Sequence, residues 1–329
     1  MRRREFLALT AAAAYLPGAA QPDDDVDPAT SAAVASLRVL LGAGVAQPVA
    51  GSDGFLFDGR PYRGSFERLA DGRIVNVVGL EAYLYSVVPH EMTSSWPAPA
   101  LAAQAVCART YVLQRSNPRR DYDVVPSQMD QVYPGVTGET PAGRAAVDAT
   151  AGQVLRFGGM FATVAYSSCC GGHTESAADA WGGAGAPYLG GVVCRYCTDS
   201  PYYRWQASVA MDDIAQRFSE QLDPIGALQN VVIGSRDASG RARDVTLVAQ
   251  RGSVDVKGTA FRLGVGARVV RSLLISDARV DQPELFLEGG GLGHGVGMCQ
   301  WGARGMALAG HTARDILALY FPGTETVHD

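Results

Sequence analysis

Apolar residues at Leu80, Tyr83, Leu84 and Val87 recur at three- and four-residue intervals, the period of one buried helix face. Pro89 predicts the end of that helix and leaves Glu91 in the break that follows. Ser94 or Ser95 then caps a second helix near Trp96-Pro97, where a proline in the first turn is tolerated. Leu101, Ala105, Ala108 and Val112 give this second helix a contact face of small residues. Residues 80–110 therefore read as a close helix pair, with Glu91 at the elbow and Arg109 further along. Around the pair, the pattern predicts a strand over 37–41, one or two strands over 54–67 and another over 73–78. Residues 117–122 read as a polar connector and 127–133 as a loop. A helix follows over 141–151, then a hairpin over 153–166 turned at Gly158-Gly159.

The pattern changes over 206–285. An amphipathic helix is predicted over 211–222, with short strands over 227–235, 242–249 and 253–256 and a turn at 237–240. With 259–263 and 269–274 these make a small inserted α/β lobe, in which no residue pattern suggests chemistry. A chain of 329 residues, 47% hydrophobic, has enough apolar surface for one large domain or two small ones. A net charge of -5 gives no basic face for nucleic acid. No apolar run reaches the length of a membrane span. At the N-terminus, three arginines, a short apolar run and the small residues Gly18-Ala19-Ala20 have the layout of a signal peptide over 1–20. The order Arg3-Arg4-Glu5-Phe6-Leu7 fits a twin-arginine signal, and an ordinary secretory signal fits as well. Residues 21–36, acidic and small, read as a linker, so the mature chain is expected outside the cytoplasm, in the periplasm or cell-wall space.

Several separated segments add a resemblance. They are LEAYLYSVVPHEMTSSWPAPALAAQAVCART (80–110), SQMDQVY (127–133), SSCCGGHTES (167–176) with Ala180-Trp181, SPYYRW (200–205), GLGHGVGMCQWGARGMALAG (291–310) and ILALYFPGT (316–324). In this order they resemble the SpoIID/LytB family of peptidoglycan lytic transglycosylases, over nearly the whole chain beyond its first few dozen residues. The resemblance implies a mixed α+β fold with a long substrate groove. Its core spans 37–205 and 286–329, interrupted by the lobe at 206–285. It implies Glu91 as the catalytic acid and a functional Arg109, with Gln131, Tyr133, Ser168, Asp179, Trp181, His294, Gln300 and Trp301 lining the glycan. The implied substrate is a glycan strand stripped of stem peptides, which makes a cell-wall amidase a partner. The LytB branch implies a different role, a glycan-binding enhancer of such an amidase. Many members carry a lysine where this chain has Ala102, and commonly a serine where it has Cys299.

Taken alone, a glutamate at a helix elbow is an ordinary solvated end. The flanking Val87, Val88, Met92 and Trp96 change that, because apolar surroundings favour a protonated carboxyl suited to general acid work. The His90-Glu91 pair is no zincin motif, since Ser94 stands where the second histidine belongs. Arg109 alone, in an apolar helix, reads as half of a structural salt bridge, and only the resemblance gives it a substrate role. The glycines of 289–297 match neither GxGxxG nor a P-loop and instead permit tight turns and close backbone approach. Of six cysteines, Cys107 reads as a buried core residue. Cys170 and His173, with the Cys194-x-x-Cys197 knuckle, have the ligand spacing of a structural zinc site. Disulfides among Cys169, Cys170, Cys194 and Cys197 are the alternative in an exported protein. No organic cofactor is expected.

Overall fold

Tyr83, Leu84, Val87 and Val88 are fully buried and seat helix α1 (Leu80–Glu91) against α2 (Ala98–Arg115) and α3 (Pro141–Ala149). The chain is described here by a computed structural model covering residues 36–329. The expected signal segment, and the linker up to residue 35, lie outside the described residues. Pro89 does not end α1. It forfeits a single helical bond, while the His90 ring donates to the Ser86 carbonyl (2.9 Å) and the Met92 N–H to Val88 O (3.0 Å). The helix therefore carries Glu91 as its last residue. Neither Ser94 nor Ser95 caps α2, whose N-cap is Pro97, with no side-chain cap. The Ser94 hydroxyl instead meets Thr140 Oγ1 at 2.8 Å, and Thr140 caps α3 by accepting from the Gly143 N–H.

Two compact units divide the described chain. One holds residues 36–165, 306–318 and 323–329, and the other 166–305 and 319–322. In the first unit, three small antiparallel sheets surround the helices. Leu37–Gly42, Ile74–Val78 and Ser65–Arg68 form one, and Ala46–Pro48, Gly54–Phe57 and Arg60–Arg63 a second. The expected hairpin forms the third, with Gln153–Phe157 paired to Met160–Phe161 and, on its other edge, to Glu325–His328. Its turn glycines, Gly158 and Gly159, both take positive φ, as a two-residue hairpin loop needs.

The second unit has its own core, which runs from Trp205 to Leu287 and includes Met211, Ile214, Phe218, Leu247 and Phe261. The first helix of this unit is the short α4 (Ala177–Trp181). The helix expected over 211–222 is two pieces, α5 (Met211–Arg217) and α6 (Ser219–Leu222), because Phe218 leaves helical geometry and stacks its buried ring on Phe261. Helix α7 (Gly258–Val265) follows the sheet of Leu228–Ile233, Asp244–Ala249 and Gly252–Lys257. A hairpin of Ile275–Asp281 and Glu284–Gly289, joined to Trp205–Ala210, carries the chain past residue 285. The short strand Met298–Cys299 then pairs in parallel with Tyr166–Ser167 and leads into α8 (Gln300–Leu308), with α9 (Ala313–Tyr320) after it. The fold is mixed α+β. No helix among the described residues is long and apolar enough to cross a membrane.

Candidate functional site

Glu91 closes α1 beside fully buried Val87, Val88 and Met92. Behind it lies a buried polar network built from the 127–133 loop. Tyr83 donates to Gln131 Oε1 (3.1 Å), Gln131 Nε2 to the Ala108 carbonyl (3.4 Å), and Tyr111 to Asp130 Oδ1 (3.1 Å). Burial pushes the Tyr83 and Tyr111 hydroxyls well up from their ordinary range, and the Asp130 carboxylate adds to the effect on both. Gln131 and Tyr133, expected to touch glycan, are turned inward instead. Gln131 is fully buried, and Tyr133 donates to Asn76 Oδ1 (2.9 Å) while its ring packs on Tyr83 at 4.7 Å between centroids. They brace α1 and α2 rather than offer a binding surface.

Arg109 also differs from its expected role. Its guanidinium is fully buried and grips Glu81 with two bonds (2.9 and 2.6 Å), then donates to the Gln153 and Val147 carbonyls (3.0 and 3.4 Å). Glu81 opens α1 and Glu91 closes it, about 15 Å apart along the helix axis. Arg109 thus ties α1, α3 and the following hairpin together, with its donors spent inside the protein. Ala102 lines a pocket of about 380 Å³ walled by Ala98, Pro99, Ala145, Ala149, Ala307 and residues 310–313.

The second unit gathers most of the other expected residues. Trp301 donates its backbone N–H to the Ser168 carbonyl (3.0 Å), and buried Gln300 precedes it at the start of α8. The Trp181 and His294 rings lie 5.4 Å apart. His294 Nδ1 accepts from the Val296 N–H (3.0 Å), which leaves Nε2 to donate to the Tyr166 carbonyl (3.1 Å). Burial holds this imidazole neutral, its pKa lowered to about 4. Asp179 pairs with Arg243 of the inserted segment. The glycine-rich strand approaches protein rather than opening a loop for phosphate. Gly295, at φ +82, lies on the Arg241 guanidinium so closely that a Cβ there would stand 2.3 Å from it.

Five buried cysteines lie in this unit, and no disulfide joins any of the six in the described chain. Cys170, Cys194, Cys197 and Cys299 bring their sulfurs within 4.8 Å of one another. His173 is not among them. Its Nδ1 bonds the Thr174 carbonyl (2.7 Å), and the place it was expected to fill belongs to Cys299. Cys107 stands apart in α2, where burial alone pushes its thiol up.

A family model described as stage II sporulation protein matches residues 70–157, and one described as a domain of unknown function (DUF8618) matches 194–297. An uncharacterized protein of Brachyspira hyodysenteriae is 35% identical over 84% of the chain and 74% of its own length. Stage II sporulation protein D of Bacillus subtilis is 29% identical over 78% of the chain and 77% of its own length. The chain belongs to the SpoIID family. The amidase enhancer of Bacillus subtilis is 27% identical over 73% of this SpoIID chain, which spans 40% of the enhancer's length.

Three residues that matter to this SpoIID structure carried little signal. Cys299 lies far along the chain from the Cys194-x-x-Cys197 knuckle, so no local spacing ties it to the other thiols. Glu175 and Arg241 form a buried ion pair at 3.4 Å, the carboxyl pushed up to about 7 by burial. Arg241 also donates to the Cys170 and His173 carbonyls (2.8 and 3.0 Å), anchoring the 237–241 turn on the cysteine loop. An arginine in a polar turn looks like any solvated charge, so nothing in the sequence marked it.

Proposed function

We propose that this protein is an exported peptidoglycan lytic transglycosylase, with Glu91 as its single general acid and base. The observation that carries the reading is the position of Glu91. It is a partly buried carboxyl on the last residue of α1, in the same helical turn as the fully buried Val87 and Val88 and next to buried Met92. An acid so placed gives its proton to the glycosidic oxygen between MurNAc and GlcNAc. The resulting carboxylate then takes the proton of the muramic acid C6 hydroxyl as that oxygen closes on C1. The product ends in 1,6-anhydro-MurNAc and no water enters, which distinguishes the reaction from the two-carboxylate hydrolases. In this reading Arg109 positions α1 and touches no substrate, while Trp181 and Trp301 contact the sugars. Any metal taken up by four thiolates is structural, because saturated coordination leaves no place for water.

The relation to an amidase enhancer and the presence of alanine at residue 102 favour a second reading, in which the chain binds glycan and stimulates a cell-wall amidase. One experiment separates the two. Amidase-stripped glycan strands are digested with wild-type protein and with Glu91→Gln, and the products are read by mass spectrometry. The transglycosylase reading expects anhydro ends from wild type and a loss of about 10²–10⁴-fold in the variant, the usual worth of a general acid. Reducing ends would mean a hydrolase. Binding without cleavage would leave the enhancer.

A further inference from the structure

We propose that Cys170, Cys194, Cys197 and Cys299 bind one zinc(II) ion as a tetrathiolate, and that this ion holds the Gln300-Trp301 end of α8 in place. The four sulfurs lie within 4.8 Å of one another, and each residue is at most 2% exposed. A tetrahedron with zinc–sulfur bonds of about 2.3 Å has edges of about 3.8 Å, and Cys170 Sγ to Cys197 Sγ measures 3.7 Å. The ligands come in the pattern such sites use, a Cys-x-x-Cys knuckle and two cysteines from distant segments. Four soft sulfur donors in tetrahedral array select zinc over harder cations.

Hydrogen-bond donors already face the sulfurs. Cys299 Sγ accepts two backbone N–H groups, from Cys170 (3.2 Å) and Gly302 (3.3 Å), and the Tyr320 hydroxyl lies 3.1 Å from Cys194 Sγ. Outer donors of this kind orient metal ligands and stabilise their charge. Binding releases the four thiol protons to solvent and changes no oxidation state. The Cys169 thiol also touches Cys197 and Cys299 but is not one of the four sulfurs that all lie within 4.8 Å of one another. Its backbone exchanges both hydrogen bonds with Leu292 (3.1 and 2.8 Å).

The same contacts connect the ion to α8. Cys299 immediately precedes Gln300 and Trp301. A Cβ on Gly302 would fall 1.9 Å from the Tyr320 hydroxyl and 2.7 Å from Cys194 Sγ, and one on Gly305 would fall 2.0 Å from the Tyr196 carbonyl. The first turns of α8 therefore rest directly on the knuckle. This inference is independent of the transglycosylase reading, and its tests read metal and backbone rather than activity.

The whole chain, purified without chelator, should carry one zinc per molecule. Replacement by cobalt(II) should give the visible bands of a tetrahedral tetrathiolate. Cys299→Ser should change those bands to a three-sulfur pattern and weaken binding by more than the ~10–100-fold that loss of an outer partner costs. His173→Ala and Cys107→Ser should leave the spectrum intact. Should Cys299→Ser not fold, X-ray absorption on the wild-type zinc protein should show four sulfurs near ~2.3 Å and no nitrogen. Amide exchange across 298–302 should quicken when the metal is stripped. Metal-free protein with disulfides mapped to these cysteines would overturn the proposal. A cobalt spectrum lost in His173→Ala but kept in Cys299→Ser would overturn the ligand set, and unchanged exchange in stripped protein would overturn the link to α8.

Discussion

Glu91 and Arg109 belong to neighbouring helices, yet burial gives them different duties. Arg109 has every nearby acceptor inside the protein, so Arg109→Met should act through stability. Breaking a fully buried pair costs about 3–5 kcal/mol. Glu81 keeps 33% of its side chain exposed and regains water when its partner goes, so a loss of about 2–3 kcal/mol is expected. Urea unfolding would show it as a lower midpoint at unchanged slope. Arg109→Lys should recover only part, because an ammonium cannot reproduce the fork. Lost cleavage at an unchanged midpoint would return Arg109 to the substrate. His294 and Glu175 make a pH prediction of opposite signs. The His294 pKa, lowered to about 4, means the unfolded chain takes that proton first, so its contribution is present above pH ~6.5 and lost as pH falls toward ~4. The Glu175 pKa, raised to about 7, means the folded chain holds that proton longer, so its contribution is lost as pH rises from ~4.5 through ~7. The two largely offset in the shared window. His294→Gln should unmask a steady fall in thermal midpoint from pH ~4.5 to ~7, and a flat profile in the variant would refute the assignment. At this scale the apolar flanks are what single out Glu91 in the sequence, and the reading of Arg109 as a salt-bridge residue agrees with the geometry. It could not name Glu81 or Arg241 as partners, because pairing across the fold leaves no local pattern.

Helices and strands followed from periodicity where the packing face is continuous, as in α1, α2 and α3, and failed where one residue breaks geometry. Phe218 ends α5 to reach Phe261, a tertiary reward no local propensity contains. Pro89 was expected to stop α1 and does not, and its ring explains why the site depends on α3. A Cβ on Gly143 would lie 2.4 Å from Pro89 Cγ and 3.0 Å from Cδ, and the proline ring can yield only by changing its pucker, not by swinging away. Gly143→Ala gains about 1 kcal/mol in helix propensity but overpacks at a cost of about 1–3 kcal/mol. The clash should win by about 1 kcal/mol, lowering the urea midpoint and displacing the last turn of α1 that carries Glu91. The expected kinetic signature is a reduced kcat on stripped strands with KM little changed. A more stable Gly143→Ala enzyme of full activity would show that α1 and α3 have room to separate.

For the molecule as a whole, the family was legible because separated motifs keep their order, while the balance between cutting glycan and assisting an amidase was not. Membership alone does not decide it, since relatives carry both names and this chain spans 40% of the enhancer's length. Substrate preference gives the discriminating case. A transglycosylase that acts on naked strands should cut intact sacculi poorly and gain severalfold when an amidase has acted first, because stem peptides crowd the sugar faces that Trp181 and Trp301 are proposed to cover. An enhancer predicts the reverse order of dependence, with faster peptide release when this protein is added and no anhydro ends at any stage. Glu91→Gln resolves the two in one assay on sacculi with amidase present. If the protein is the enzyme, the variant abolishes anhydro ends and leaves peptide release at the rate of amidase alone. If it is the enhancer, the variant still accelerates peptide release, because a single carboxyl at the end of α1 is chemistry that binding does not require.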